Sequence, residues 1–178
     1  IAFRDDEFLE PLETSAIREK IVKIDTVQRI DLLPDGTEVP TSVASVDSTW
    51  MFKEFRTLRL KEDWFFDKQK SVLEVRILAM GVYTYDEDKG APKEQFYVYF
   101  PACRKFFAKH EVYNAKNDAE RRTFEDIFWK RQFASVAIKE TNVYDRGIIE
   151  YSRGIDALLE SDRIKNDIFR WEHDLWHF

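Results

Sequence analysis

Residues 71–100, SVLEVRILAMGVYTYDEDKGAPKEQFYVYF, decide how this chain folds. Leu73, Val75 and Ile77 alternate with Glu74 and Arg76, so a strand here buries one face and wets the other. Phe96, Val98 and Phe100 alternate in the same way with Tyr97 and Tyr99. Between the two runs, DEDKGAPK (residues 86–93) is a polar loop with the Gly and Pro of a hairpin. Upstream, Leu58 to Phe66 reads as a third strand that turns at Asp67-Lys68. The connections are too short for parallel crossovers, so the three runs predict an antiparallel meander.

Outward from the sheet the apolar period changes. After Pro101, Ala102 to Lys109 reads as a short helix. Asn117 and Glu120 are spaced as a capping box that opens a helix from Asp118 to about Lys139. Phe124, Ile127, Phe128, Ala134 and Ile138 approximate one stripe, which slips by a turn near Arg131. A polar segment, Glu140 to Arg146, precedes a helical tail that carries Ile155, Leu158 and Leu159, then Ile164, Ile168, Trp171 and Leu175. On the N-terminal side, PLETSAIREKIV (residues 11–22) reads as a helix with Pro11 near its start. Lys23 to Val43 reads as a hairpin around Pro34-Asp35-Gly36, and Val46 to Phe55 as a short helix capped by Asp47 or Ser48. The prediction is an α+β fold, a central antiparallel sheet with C-terminal helices packed on it. Residues 1–178 form a single domain, with 1–56 as an N-terminal arm and hairpin.

A chain of 178 residues with 44% hydrophobic content can bury a sizeable core. Aromatics at 15% and charged residues at 35% point to large apolar anchors under a well-solvated surface. The formal charge of −6 argues against non-specific nucleic-acid binding and against purely electrostatic attachment to anionic lipid. No apolar run reaches the roughly 18 residues that span a bilayer. The start, IAFRDDEF, lacks both an initiating Met and a signal-peptide pattern, as expected of a mature chain or a fragment. The single Cys103 excludes an intramolecular disulfide.

Chemical candidates are few. His173 and His177 stand four apart on the tail helix, a spacing that could put two imidazoles on one metal ion. With no adjacent Glu-x-x-His or cysteine set, they read as an amphipathic terminal turn with solvated polar groups, and no metal is expected. Cys103 has Arg104 and Lys105 beside it but no catalytic signature, and reads as a small, partly buried residue. Asp86, Glu87 and Asp88 read as a solvated loop. No nucleophile elbow, phosphate loop or dinucleotide fingerprint occurs, so neither an enzyme nor a cofactor is expected. The aromatic clusters are the remaining lead. Trp64, Phe65 and Phe66 give both faces of a strand a large ring; they belong to the core or its margin, or to a partner surface. Phe169 and Trp176 project from a different sector than the stripe Ile164, Ile168, Trp171 and Leu175, which suits contact with another protein.

Three long segments carry a family resemblance: EDWFFDKQKSVLEVRI, FYVYFPACRKFFAKHEVYNAKNDAERRTFEDIFWKRQF, and NVYDRGI followed by GIDALLESDRIKNDIFRWEHDLW. They resemble the gliding-motility and type IX secretion protein N family of Bacteroidetes (GldN, PorN). The similarity runs from about Lys61 to the C-terminus and is weaker over the first 60 residues. The family's Trp-rich lead-in before the Asp-Asp-Glu stretch is not visible, as in a trimmed chain or a divergent member. The resemblance implies a non-enzymatic periplasmic component with no catalytic residues to carry over. It implies assembly with an outer-membrane lipoprotein (GldK, PorK) into a ring, self-association within that ring, and contact with the periplasmic shaft protein GldM or PorM. The alternative is a small binding domain with an aromatic-lined pocket, unrelated to secretion.

Overall fold

The structure is a computed structural model and describes residues 1–32, 38–47, 54–86, 90–114 and 120–174. In chain order the elements are β1 (Ala2–Phe3), β2 (Pro11–Leu12), α1 (Thr14–Ile21), β3 (Lys23–Leu32), β4 (Glu38–Asp47), β5 (Phe55–Asp67), β6 (Val72–Asp86) and β7 (Ala91–Tyr99). Then come α2 (Phe100–Phe107), β8 (Glu111–Val112), β9 (Arg122–Thr123), α3 (Phe124–Trp129), α4 (Ile148–Tyr151) and α5 (Ile155–Asp174). The fold is α+β, and the principal sheet runs β2-β1-β7-β6-β5.

The predicted meander is the β7-β6-β5 part of that order. β6 and β7 pair antiparallel, from Ala79 opposite Tyr99 to Asp86 opposite Ala91, with a bulge between Val82 and Tyr83. Gly81 faces Tyr97, and a Cβ there would lie 2.5 Å from the Tyr97 ring and 2.9 Å from that of Tyr83. The missing side chain therefore lets two tyrosines lie over the strand. Both hydroxyls lie 3.0 Å from Glu94 Oε2 and within hydrogen-bonding distance of each other. With one proton apiece they share two bonds among three oxygens: both donate to the carboxylate, or one donates to it and accepts from the other. Burial raises both phenols above their ordinary range. The Arg59 guanidinium covers the Tyr83 ring at 4.1 Å.

One edge of the sheet departs from expectation. β1 adds antiparallel to β7, Ala2 opposite Val98, and β2 adds to β1. Pro11 is thus a strand residue, and the helix begins only at Thr14. A two-residue strand has no period to read, so the sequence hides it. The Asp5 carboxylate closes the intervening loop by accepting from the Leu9 and Glu10 amides at 3.1 and 3.3 Å. Phe8 then sits edge-on to Phe3 and Tyr99, at 5.0 and 5.3 Å.

The hairpin expected over Lys23 to Val43 forms and is longer, with Lys23 opposite Asp47. Val46 and Asp47 end β4 and Phe55 starts β5, so the helix expected over Val46 to Phe55 is shorter than expected at both ends, while Glu54, just before β5, is helical. Its middle, like the turn Pro34-Asp35-Gly36, lies outside the described residues.

The largest correction concerns Asp118 to Lys139. Asn117 lies outside the described residues, but among those described the helix is only Phe124–Trp129. Its cap is Thr123: the hydroxyl accepts from the Asp126 amide at 3.2 Å, and the Asp126 carboxylate accepts from the Thr123 amide at 3.0 Å. It stops because Arg131 turns left-handed (φ 51°). The Gln132 amide then donates to Ile127 and the Arg131 amide to Phe128, the paired bonds of a Schellman cap. The slip in the apolar stripe at Arg131 marks this stop.

The chain divides into two units, residues 1–63 with 76–103, and residues 64–75 with 104–178. In the first, Ala2, Ala79, Met80, Tyr83, Phe96 and Phe100 are buried. In the second, Ile148, Ser161 and Ile164 are buried.

Candidate interaction surfaces

Helix α5 is apolar on two opposite sides. Ala157, Ser161, Ile164 and Ile168 recur at helical spacing and are buried or half-buried. The covering layer is an extended segment of the same unit. The Ala137 amide donates to Ser161 Oγ at 2.8 Å, and Lys165 donates to the Ser135 carbonyl. Arg163 bonds Glu160, Asp167 and Glu140, and the Tyr151 hydroxyl donates to Glu160 at 3.2 Å. At about 100° per residue, Leu158, Ile155, Leu159 and Phe169 share one arc opposite this stripe. All four are exposed, Phe169 at 66%. Trp171 does not belong to the buried stripe as expected: it lies at the stripe's edge and is half exposed. Leu175 and Trp176 lie outside the described residues.

A second apolar tip stands on a loop fixed by one amide. Asn142 Nδ2 donates to the Glu140 and Arg146 carbonyls at 3.0 and 2.7 Å, and its Oδ1 accepts from the Tyr144 and Arg146 amides. Asp145 takes a left-handed φ of 52°. These ties hold Val143 (97% exposed) and Tyr144 outward, with the Arg146 guanidinium 4.7 Å from the Tyr144 ring.

The third group is aromatic. Trp64 is 36% exposed and carries the Arg131 guanidinium 5.1 Å over its ring, while Phe65 and Phe66 are half-buried. Phe128 packs against Phe107 and Phe133 at 5.5 and 5.9 Å. Trp129 stands exposed under Arg104, which is ion-paired to Glu125. The structure places Trp64 and Phe169 in the same unit but records no contact between them. The exposed Val143–Tyr144 tip, Trp129 and the Ile155/Leu158/Leu159 arc were not singled out from sequence. The arc was legible: these three residues fall out of line with Ile164 and Ile168 on a helical wheel.

Catalytic candidates stay dispersed. Burial pushes the Cys103 thiol up, away from the reactive thiolate. Among the described residues no three His, Cys, Asp or Glu side chains gather to hold an ion; His173 is exposed and His177 lies outside them. No described helix is long and apolar enough to cross a membrane.

The family model for gliding motility associated protein GldN matches residues 1–177. This chain belongs to the GldN family. The match takes in the first 60 residues, where the motif resemblance had been weak. No curated protein and no solved structure matches the chain. Membership makes it a component of the gliding-motility and type IX secretion machinery of the cell envelope, a structural rather than a known enzymatic family.

Proposed function

We propose that this GldN-family chain is a periplasmic scaffold that assembles with a GldK/PorK-like outer-membrane lipoprotein into a ring and contacts a GldM/PorM-like shaft. The observation that carries the proposal is the family match across residues 1–177. The two-sided α5 supports it: one stripe is spent inside its own unit and the other is left for a neighbour. A ring subunit needs two unlike contact surfaces. The proposed contact residues are Trp64, Phe65 and Phe66 on one surface and Phe169 with Trp176 on another. Residues 1–178 act together as one GldN-like domain in this reading.

The test is co-purification with the lipoprotein, in the wild type and in Leu158→Ser/Phe169→Ser. The wild type should be retained in large assemblies. The variant should keep its thermal midpoint and lose retention. A wild-type chain that is folded yet not retained by the lipoprotein overturns the ring reading. A variant that unfolds assigns the arc to the core instead.

A further inference from the structure

β3 and β4 form a two-stranded sheet of ten residues each and, among the described residues, pair only with one another. A lone two-stranded ribbon is marginal in water, and its outer edges present unpaired N–H and C=O groups. Ile24, Val27 and Ile30 of β3 are 64%, 53% and 63% exposed.

The two edges are not equivalent. The register sets Ile30 opposite Pro40. A proline loses no ladder bond only where its nitrogen points away from the partner strand. Pro40 therefore leaves a gap in the outer donor row of β4. The same parity turns the backbone groups of Ile24, Thr26, Gln28 and Ile30 to the outer edge of β3, where no proline interrupts them.

The sequence of β3 is self-complementary when laid antiparallel on itself about Val27. Lys23 meets Asp31, Asp25 meets Arg29, Ile24 meets Ile30, Thr26 meets Gln28, and Val27 meets Val27. Every charge falls opposite its counter-charge and every apolar residue opposite an apolar one. Residues 24, 26, 28 and 30 become the hydrogen-bonded pairs, so backbone parity and side-chain register agree. β4 offers no such match: centred on Val43 it sets Asp47 opposite Val39, and end-to-end pairing sets Glu38 opposite Asp47.

We propose that β3 is a homodimerisation edge, joining a second copy of this chain across a two-fold axis at Val27 to give a sheet β4-β3-β3-β4. The occupant is specified by charge: an unrelated edge strand would not match alternating Lys, Asp, Arg and Asp. Such a contact closes on itself, whereas a ring propagates through unlike surfaces. The proposal therefore does not depend on the ring reading.

The test uses the purified chain alone. Sedimentation velocity should show a concentration-dependent monomer–dimer equilibrium. Arg29→Glu sets acid against acid twice per dimer and should weaken it about tenfold. Asp25→Arg/Arg29→Glu exchanges the charges and should restore it; because Arg29 also has a contact within its own chain, this rescue isolates the intermolecular one. Val27→Cys in a Cys103→Ser background should form a disulfide dimer under mild oxidation, since non-hydrogen-bonded pairs lie about 4.5 Å apart between Cα atoms, within disulfide reach. A chain monomeric at all concentrations, a dimer indifferent to Arg29→Glu, or no Val27→Cys cross-link would each overturn the proposal.

Discussion

Ser161 ties α5 to the segment at Ala137 through a single hydroxyl. It is fully buried, and its oxygen is the acceptor recorded for the Ala137 amide. Ser161→Ala leaves that N–H without its acceptor, a loss of about 1–3 kcal/mol. Urea unfolding should show the midpoint fall with little change in slope. A loss within error would mean that water replaces the hydroxyl. Asp126 acts through charge. Backbone and hydroxyl donation from Thr123 holds its carboxyl below the ordinary carboxylate range. A lowered folded value means that the contribution is complete above the unfolded pKa of about 3.9 and fades as pH falls through the folded one. Asp126→Asn should therefore destabilise the chain at pH 7 and flatten the acid side of its stability profile below about pH 4. An unchanged acid profile would show that the capping carboxylate contributes nothing. Neither residue was singled out from sequence. A buried serine on a polar-looking helix gives no signal until its partner, 24 residues away, is placed.

At the scale of elements, two glycine-related positions decide geometry in opposite ways. Gly81→Ala puts a Cβ against the Tyr97 and Tyr83 rings, which their shared bonds to Glu94 hold in place. Overpacking costs about 1–3 kcal/mol, more than the ~0.4–1 kcal/mol that an alanine contributes by restricting the unfolded chain. The thermal midpoint should fall; a rise would show that the rings move freely. Arg131 is the converse, a side chain in a conformation that suits glycine. Relief of left-handed strain, roughly 1 kcal/mol, should offset loss of the cation over Trp64, about 0.5–1 kcal/mol, so Arg131→Gly should be nearly neutral. Arg131→Ala keeps the strain and loses the cation, and should destabilise. Equal effects of the two variants would remove the cap argument. The sheet strands β5, β6 and β7 were legible because a period of two repeats over many residues. The long helix after Asn117 was misread because Phe124, Ile127 and Phe128 satisfy a helical period whether or not the chain continues as helix. What stops it is the left-handed backbone of Arg131, of which the slip in the apolar stripe is the trace left in the sequence.

For the whole molecule, both units leave large apolar side chains in water: the β3 edge in the first, the α5 arc, Trp129 and the Val143–Tyr144 tip in the second. Contiguous exposed apolar surface in a folded chain marks contact sites. The native chain should accordingly enhance the fluorescence of a hydrophobic dye, and the signal should drop when the lipoprotein joins. A native chain silent to the dye would mean that these side chains are covered within the monomer. By itself the sequence determined the α+β class, the meander, the tail helix and the family, because alternation, helical spacing and long motifs are properties of residue order. The tertiary structure alone decided the edge to which β1 adds, where α3 stops, and which side of α5 is covered. The first and last depend on hydrogen-bond partners far apart in the chain, whose distances are set only when the chain is folded; the stop of α3 depends on the left-handed backbone of Arg131, a conformation its side chain does not favour.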